Sequence, residues 1–254
     1  MPRTPEFFAG KTIIVTGAAS GIGKETSLIF GREGANVFCA DLDEEGAADV
    51  AERVTENGGR GVHMKVDVTS REEAFDMTRR AKERFGRVDF SLNSAGAALR
   101  RSDFLGIEDD LWERTFDLNV KGVFYCMQAA IPEMLDNGGG VIVNIGSMAH
   151  KRGGPGHSVH YAAAKGAVVT MSMGVGREYA DRGIRCMSIS PGPIDTPFHD
   201  VSSEELRESM RAQIPMGRFG TPEEIGELVL FMCSDACGFM TADTVYVNGG
   251  GGWK

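Results

Sequence analysis

The stretch Thr12–Gly34, TIIVTGAASGIGKETSLIFGREG, decides how the chain folds. Its first five residues, Thr12–Thr16, are all apolar or β-branched and predict a buried strand. Gly17, Gly21 and Gly23 punctuate the turn that follows. Ile22, Leu28 and Ile29 then recur at helical spacing, as far as about Gly34. Glycines let a backbone turn tightly and approach a pyrophosphate, and a helix N-terminus offers that anion free N–H groups and a positive dipole end. The spacing is Gly-x-x-x-Gly-x-Gly, not the Gly-x-Gly-x-x-Gly of the usual dinucleotide fingerprint. Glycines also mark ordinary turns, so the reading needs support downstream.

That support is the alternation of strands and helices. Short apolar strands are expected at Asn36–Asp41, Gly61–Asp67, Val88–Asn93, Val141–Ile145, Ile184–Ile189 and Thr244–Val247. Helical patterns separate them at Asp43–Asn57, Ser70–Phe85, Ile107–Asp136, His160–Asp181 and Thr221–Ser234. Such alternation implies right-handed crossovers and a doubly wound, Rossmann-like α/β fold: one domain, 1–254, with a seven-stranded parallel sheet and helices on both faces. One irregular stretch, residues 191–220, holds four prolines around a helical piece, Glu204–Arg211. It follows the sixth strand, where a ligand crevice should open, and is expected to act as a substrate lid.

Composition bounds the function. The 254 residues are 42% hydrophobic and 25% charged, as in an ordinary globular protein with a large core. A net charge of −9 argues against nucleic acid and anionic membrane surfaces as partners. Cys233 and Cys237 fall at i, i+4, but no histidine or second cysteine pair accompanies them, so no metal site is expected. The five scattered cysteines suit a reducing compartment, and the N-terminal MPRTPEFFAGK lacks the pattern of a signal peptide. A cytoplasmic location is expected.

Asp41 ends the second strand 18 residues after Gly23, where an acid binds the adenosine ribose hydroxyls in such folds. A carboxylate there repels a 2′-phosphate, and neighbouring Leu42 offers no cation to hold one. NAD is therefore expected over NADP. Asp67 and Val68, at the end of the third strand, are placed to meet the adenine edge, although Asp67 also suits a local cap. Further on, Tyr161 and Lys165 share a helical face at i, i+4, and Ser147 ends the fifth strand. A tyrosine hydroxyl titrates near ~10 and is a poor base at neutral pH. A neighbouring ammonium stabilises the phenolate and makes the pair usable for proton transfer.

With these residues quoted, the chain resembles the short-chain dehydrogenase/reductase family over nearly all its length. Thr16-Gly17-Ala-Ala-Ser20-Gly21-Ile22-Gly23 matches that family's cofactor loop, and Asp41 its NAD-selecting acid. Asn93-Ser94-Ala95-Gly96 resembles its Asn-Asn-Ala-Gly strand end, with serine replacing the second asparagine. Pro191-Gly192-Pro-Ile194-Asp-Thr196 matches the segment that meets the nicotinamide. Asn119, Ser147, Tyr161 and Lys165 match the catalytic tetrad. The resemblance implies hydride transfer at the nicotinamide, with Tyr161 as acid/base and Ser147 orienting the substrate oxygen. Lys165 would lower the tyrosine pKa and hold the ribose, while Asn119 keeps a water relay. It also implies a homotetramer, with Ala162–Met173 and Val245–Gly252 as candidate contacts.

The resemblance implies a small alcohol or ketone as substrate. Between Ser147 and Tyr161 lie His150, Lys151, Arg152, His157 and His160, and Arg100, Arg101, His199 and Arg218 occupy other loops near the crevice. So much basic charge in an acidic chain suits an anionic or polyhydroxylated substrate such as a sugar, sugar acid or sulfonated sugar, with His150, Arg152 and His157 in contact. Solvated loop charge is the plainer account. Three alternatives stand beside this one. An NADPH-dependent 3-oxoacyl-[acyl-carrier-protein] reductase would not want Asp41. A non-catalytic cofactor-binding paralogue would be expected to lack part of the tetrad. A sugar-nucleotide epimerase would need a larger C-terminal domain.

Overall fold

The computed structural model describes residues 2–197 and 203–251. Seven strands form one parallel sheet: β1 (Thr12–Thr16), β2 (Asn36–Asp41), β3 (Arg60–Lys65), β4 (Phe90–Asn93), β5 (Gly140–Ile145), β6 (Ile184–Pro191) and β7 (Thr244–Val247). Their spatial order is β3-β2-β1-β4-β5-β6-β7. The chain therefore builds outward from β1 to β3, then returns to the other side of β1 with β4. This reversal is a topological switch point, and it leaves a crevice at the strands' C-terminal ends. Thr16 sits level with both Ala40 and Asn93, so β1, β2 and β4 deliver their ends to the same place.

Burial on both faces explains the nearly continuous apolar strands. Ile13 and Val15 pack with α1 (Gly21–Arg32), α2 (Glu44–Glu56) and α9 (Pro222–Cys233) on one face. Ile14 points the other way, into a second core with α3 (Arg71–Phe85), α5 (Gly122–Asp136) and α7 (Val159–Glu178). The caps follow the sequence signals: Asp43, Ser70 and Thr221 each accept a first-turn N–H, and Thr221 and Glu224 form a capping box. The expected third strand is shifted to Arg60–Lys65 and is only partly buried, as an edge strand should be. The fourth begins at Phe90 rather than Val88. The side chain of Asp89 takes the Thr12 amide at 2.9 Å, outside the ladder.

Two features depart from the sequence reading. The long helix expected over Ile107–Asp136 is α4 (Asp109–Phe116) and α5 joined by a π turn, Asp117–Lys121. The segment after β5, expected to be a loop, contains a one-turn helix, α6 (Ala149–Arg152). Residues 203–220 carry α8 (Glu204–Ala212), close to the expected Glu204–Arg211. The base of that segment is tied together: Asp195 N–H donates to the Gly220 carbonyl at 2.9 Å, and Gly220 N–H donates to Pro193 at 3.1 Å. His199 lies outside the described residues.

Gly23 packs α1 onto the loop before it. A Cβ there would stand 2.0 Å from the Gly17 carbonyl oxygen, which is backbone and cannot swing aside. We predict that Gly23→Ala destabilises the fold by about 2 kcal/mol or more. In a chain of this size, that lowers the melting temperature by several degrees. A melt within a degree of the parent would refute this packing.

Candidate active site

A cavity of about 690 Å³ opens along the C-terminal ends of the strands. Its first wall is the glycine loop. Gly17 and Gly21 both have positive φ, +71° and +53°. A Cβ on Gly17 would press to 2.8 Å from the Ala95 nitrogen, so only glycine permits this approach. Ser20, at the head of α1, makes no side-chain cap, and the first turn of that helix carries no acid. The orphan N–H groups of α1 thus face the cavity beside Gly21 and Ile22, a suitable seat for a diphosphate.

Asp41 lines the next section with Leu42, Asp67 and Val68. Its carboxylate accepts the Ala19 N–H at 2.9 Å and the Asp43 N–H at 3.0 Å, which fixes its orientation and leaves further lone pairs free. It forms no ion pair among the described residues. Asp67 is partly committed locally, since one carboxylate oxygen accepts from the Thr69 amide at 2.9 Å and hydroxyl at 2.7 Å. Ala95, Gly96, Pro191, Gly192, Ile194 and Thr196 complete the wall toward the far end.

That far end gathers Ser147, Tyr161 and Lys165. Ser147, just before α6, accepts the Ala149 N–H at 3.1 Å, and its hydroxyl hydrogen-bonds the Tyr161 hydroxyl. One turn on, the Lys165 ammonium lies 5.7 Å from the Tyr161 ring centre and donates to the Ile145 carbonyl at 2.8 Å. Burial drives the lysine down to about 8 and the tyrosine up to about 12, the serine bond pulling the latter back only in part. Desolvation disfavours both charged forms.

Asn119 lies beneath the cavity, fully buried in the π turn. Its amide nitrogen donates to Ala97 and Thr115 carbonyls, each at 2.9 Å, while its oxygen finds no partner among the described residues. A Cβ at Gly96 would stand 2.7 Å from that oxygen and 3.1 Å from the Lys165 nitrogen. Both polar atoms therefore border the small gap that glycine leaves. The π turn supplies the physical reason for an asparagine inside a helix, because its side chain takes up the Thr115 carbonyl.

Other expected residues are placed elsewhere. The Asn93 amide donates to Asn144 at 2.7 Å beneath the cavity floor; Asn144 in turn donates to Ser172 of α7 at 2.8 Å, so the pair binds sheet to helix. Gly23 serves packing. Among the expected substrate contacts, His150 turns its ring toward the Ser147 carbonyl and stacks on Tyr246, and His157 is exposed at a positive φ of 61°. Neither lines the cavity. Arg100 pairs with Glu108 at 3.3 Å and Arg218 with Glu224 at 2.6 Å, as solvated surface charge does. Of the basic loop residues, Arg101 and Arg152 remain on the cavity wall. His160, grouped with loop charge in the sequence, is instead fully buried, its Nε2 3.3 Å from the Ala98 carbonyl. With Asn119 on Ala97, it holds two successive carbonyls of the loop that walls the site. Only its place beside Tyr161 hinted at that. The thiols of Cys39, Cys126, Cys186 and Cys233 are pushed up to about 12 by burial, which leaves them inert core groups.

A glycine-cradled helix end, a strand-end acid and a buried tyrosine–lysine pair in one cavity define a dinucleotide-dependent oxidoreductase of the α/β class. Comparison with known proteins agrees. A family model described as enoyl-(acyl carrier protein) reductase matches residues 17–251. The chain is 34% identical to the 3-oxoacyl-[acyl-carrier-protein] reductase FabG of Thermotoga maritima, over 95% of this chain and 97% of that one. It is 35% identical to the same-named protein of Staphylococcus aureus, over 94% and 97%. It is 37% identical to 3beta-hydroxysteroid dehydrogenase 2 of Eggerthella lenta, over 95% of each. The chain belongs to the short-chain dehydrogenase/reductase family.

The buried lysine has a measurable consequence. Unfolded, Lys165 keeps its ordinary value of 10.5; folded, it falls to about 8. The unfolded state then binds more protons between these values, so this group's contribution to stability rises as pH climbs from 8 toward 10.5. Below pH 8 the full penalty stands. We predict that Lys165→Met stabilises the cofactor-free protein at pH 7 by up to about 3 kcal/mol. The gain should shrink toward pH 10 in denaturant titrations. A gain independent of pH would contradict the assignment.

Proposed function

We propose that this protein is an NAD-linked dehydrogenase/reductase that interconverts a secondary alcohol and its ketone. The observation that carries the reading is the pairing of Tyr161 with Ser147 and buried Lys165 in the same cavity as the Asp41 carboxylate. Gly17, Ser20, Gly21 and Ile22 would hold the diphosphate and Asp41 the adenosine ribose. Asp67 and Val68 would border the adenine. Ala95, Gly96, Pro191, Gly192, Ile194 and Thr196 would flank the nicotinamide. When bound, the cofactor supplies the hydride acceptor or donor.

In the oxidative direction Tyr161 takes the hydroxyl proton of the substrate, and Ser147 holds the same oxygen in line. Tyr161 enters this step as the phenolate and leaves it as the phenol, and Lys165 keeps a positive charge beside the phenolate. Asn119, with its oxygen unpaired beside Gly96, orients a water toward the ammonium for proton exchange with solvent. In the reductive direction the same groups return the proton.

Asp41 supports NAD over NADP, because a 2′-phosphate would meet a fixed carboxylate with Leu42, 62% exposed, as its neighbour. The named activities of the Thermotoga and Staphylococcus relatives favour a second reading, reduction of a 3-oxoacyl thioester with NADPH. Sugars and sugar acids are the other substrate classes, and Met148, Ala149 and Pro193 around Tyr161 suit an apolar substrate better than a neutral sugar. We assign a cytoplasmic location on the free, buried cysteines and a homotetramer on family membership, with Ala162–Met173 as a candidate contact. Among the described residues, no helix is long and apolar enough to cross a membrane. A sedimentation mass of one chain would reject the tetramer.

Steady-state rates with both cofactors test the reading. NAD should be preferred, and Asp41→Asn should narrow the preference by about ten- to a hundredfold, the worth of hydrogen bonds to a charged acceptor. Tyr161→Phe should lower kcat by about 10²–10⁴. NADPH-linked reduction of acetoacetyl thioesters, with no NAD-linked turnover, would install the second reading instead.

A further inference from the structure

Charge is divided along the cavity. The acidic side chains on its wall, Asp41 and Asp67, stand at the ends of β2 and β3, while the tyrosine end carries Arg101, Arg152 and Lys165. Lys165 is bound to a backbone carbonyl, and Arg101 donates to the Gly156 carbonyl at 2.7 Å. Arg152 is different. Its Nη2 donates to the amide oxygen of Gln213 at 2.7 Å, and it makes no ion pair among the described residues. A guanidinium has five donors in a planar fork suited to a carboxylate, and a neutral amide satisfies one of them.

The approach from Arg152 to Tyr161 is apolar. Leu206, Ser209 and Met210 on α8 and Gln213 at its C-cap line the cavity at spacings of three, four and seven residues, which is one helical stripe. No residue of α8 is fully buried within the chain. Its apolar side chains are thus left to the cavity. Met148, Ala149 and Pro155 face them from α6 and the loop after it, with Arg152 at the end of α6. The same cavity thus holds an apolar wall, the Arg152 guanidinium and the proton-transfer pair.

We propose that this chamber selects a substrate with an apolar body and an anionic terminus, whose carboxylate or similar group displaces Gln213 from Arg152 while its carbinol reaches Tyr161. The proposal rests on the oxidoreductase reading of the same site and names its substrate class. Arg152 sets specificity, and Gln213 is the neutral placeholder that joins α6 to α8 until the anion arrives. A neutral placeholder suits the role, because a carboxylate at that position would close the fork permanently.

The experiment uses the dinucleotide complex and binding in place of turnover. NADH and NADPH are first titrated alone by cofactor fluorescence; the tighter one is kept. If neither binds, the oxidoreductase reading itself fails, separately from this proposal. Octanoate, methyl octanoate and gluconate are then titrated into the complex. Octanoate should bind at least about tenfold more tightly than either, one carboxylate contact being worth about that factor. Arg152→Gln should erase the gap between octanoate and its ester. Gln213→Glu should erase it as well, with the arginine still present but occupied by an internal ion pair, an effect that lost packing would not produce. Both positions are exposed, and a thermal melt verifies that the variants fold. Octanoate no tighter than methyl octanoate, gluconate tighter than octanoate, or a preference that survives Arg152→Gln overturns the proposal.

Discussion

A lysine ammonium held out of water without a carboxylate is the constraint on which the site depends. Lys165 is 3% exposed, and it donates to a neutral carbonyl at the end of β5. Nothing about such an arrangement is favourable by itself, since burial penalises the charge and one carbonyl returns little of it. The surrounding structure has to hold it in place. α7 is tied to the sheet through the Asn93–Asn144–Ser172 chain, a fully buried set of hydrogen bonds that fixes the helix against β4 and β5. Gly96 keeps the space beside the ammonium open, and the π turn turns the Asn119 oxygen toward that space. The strain of the site is carried by parts of the molecule that never touch a substrate.

The same division appears in the choice of residues along the cavity. Where the glycine loop and Asp41 line the cavity, the groups are backbone N–H donors and a carboxylate pinned by two amides, all on rigid elements. Backbone donors cost no side-chain entropy on binding and read a diphosphate by shape. At the other end, recognition passes to side chains: a tyrosine, a serine, and an arginine facing a marginal helix. Position is secured in the first half and chemistry adjusted in the second.

Much of this was legible in the sequence because the responsible patterns are local. The alternation of apolar strands with capped helices identified the doubly wound sheet, and the glycine spacing and i, i+4 tyrosine–lysine pair located both halves of the cavity. What escaped depends on direction or on balance. Spacing alone does not show that Asn93 points under the sheet rather than into the crevice, or that His160 is buried while its sequence neighbours are exposed. A π turn adds one residue to a helix that still reads as continuous, so 107–136 looked unbroken. The spacing of Tyr161 and Lys165 identified the pair but not how deeply both are buried. Burial enters a pKa as strongly as charge does, and sequence does not report depth.

The basic residues near the crevice show how structure sorts a composition signal. Charge density suggested an anionic ligand, yet Arg100 and Arg218 are spent on surface carboxylates, His150 on a backbone carbonyl and His160 on a buried one. A solvated ion pair contributes little to stability or recognition. A cation with a neutral partner keeps most of its donors available to a ligand. Arg152 meets that condition at the end of a helix too short to form without its neighbours and opposite a helix with no buried residue of its own. Elements so weakly tied to the core can change sequence at little cost to the fold. The α6–α8 wall can therefore vary in sequence while the sheet, the glycine loop and the buried lysine stay as they are.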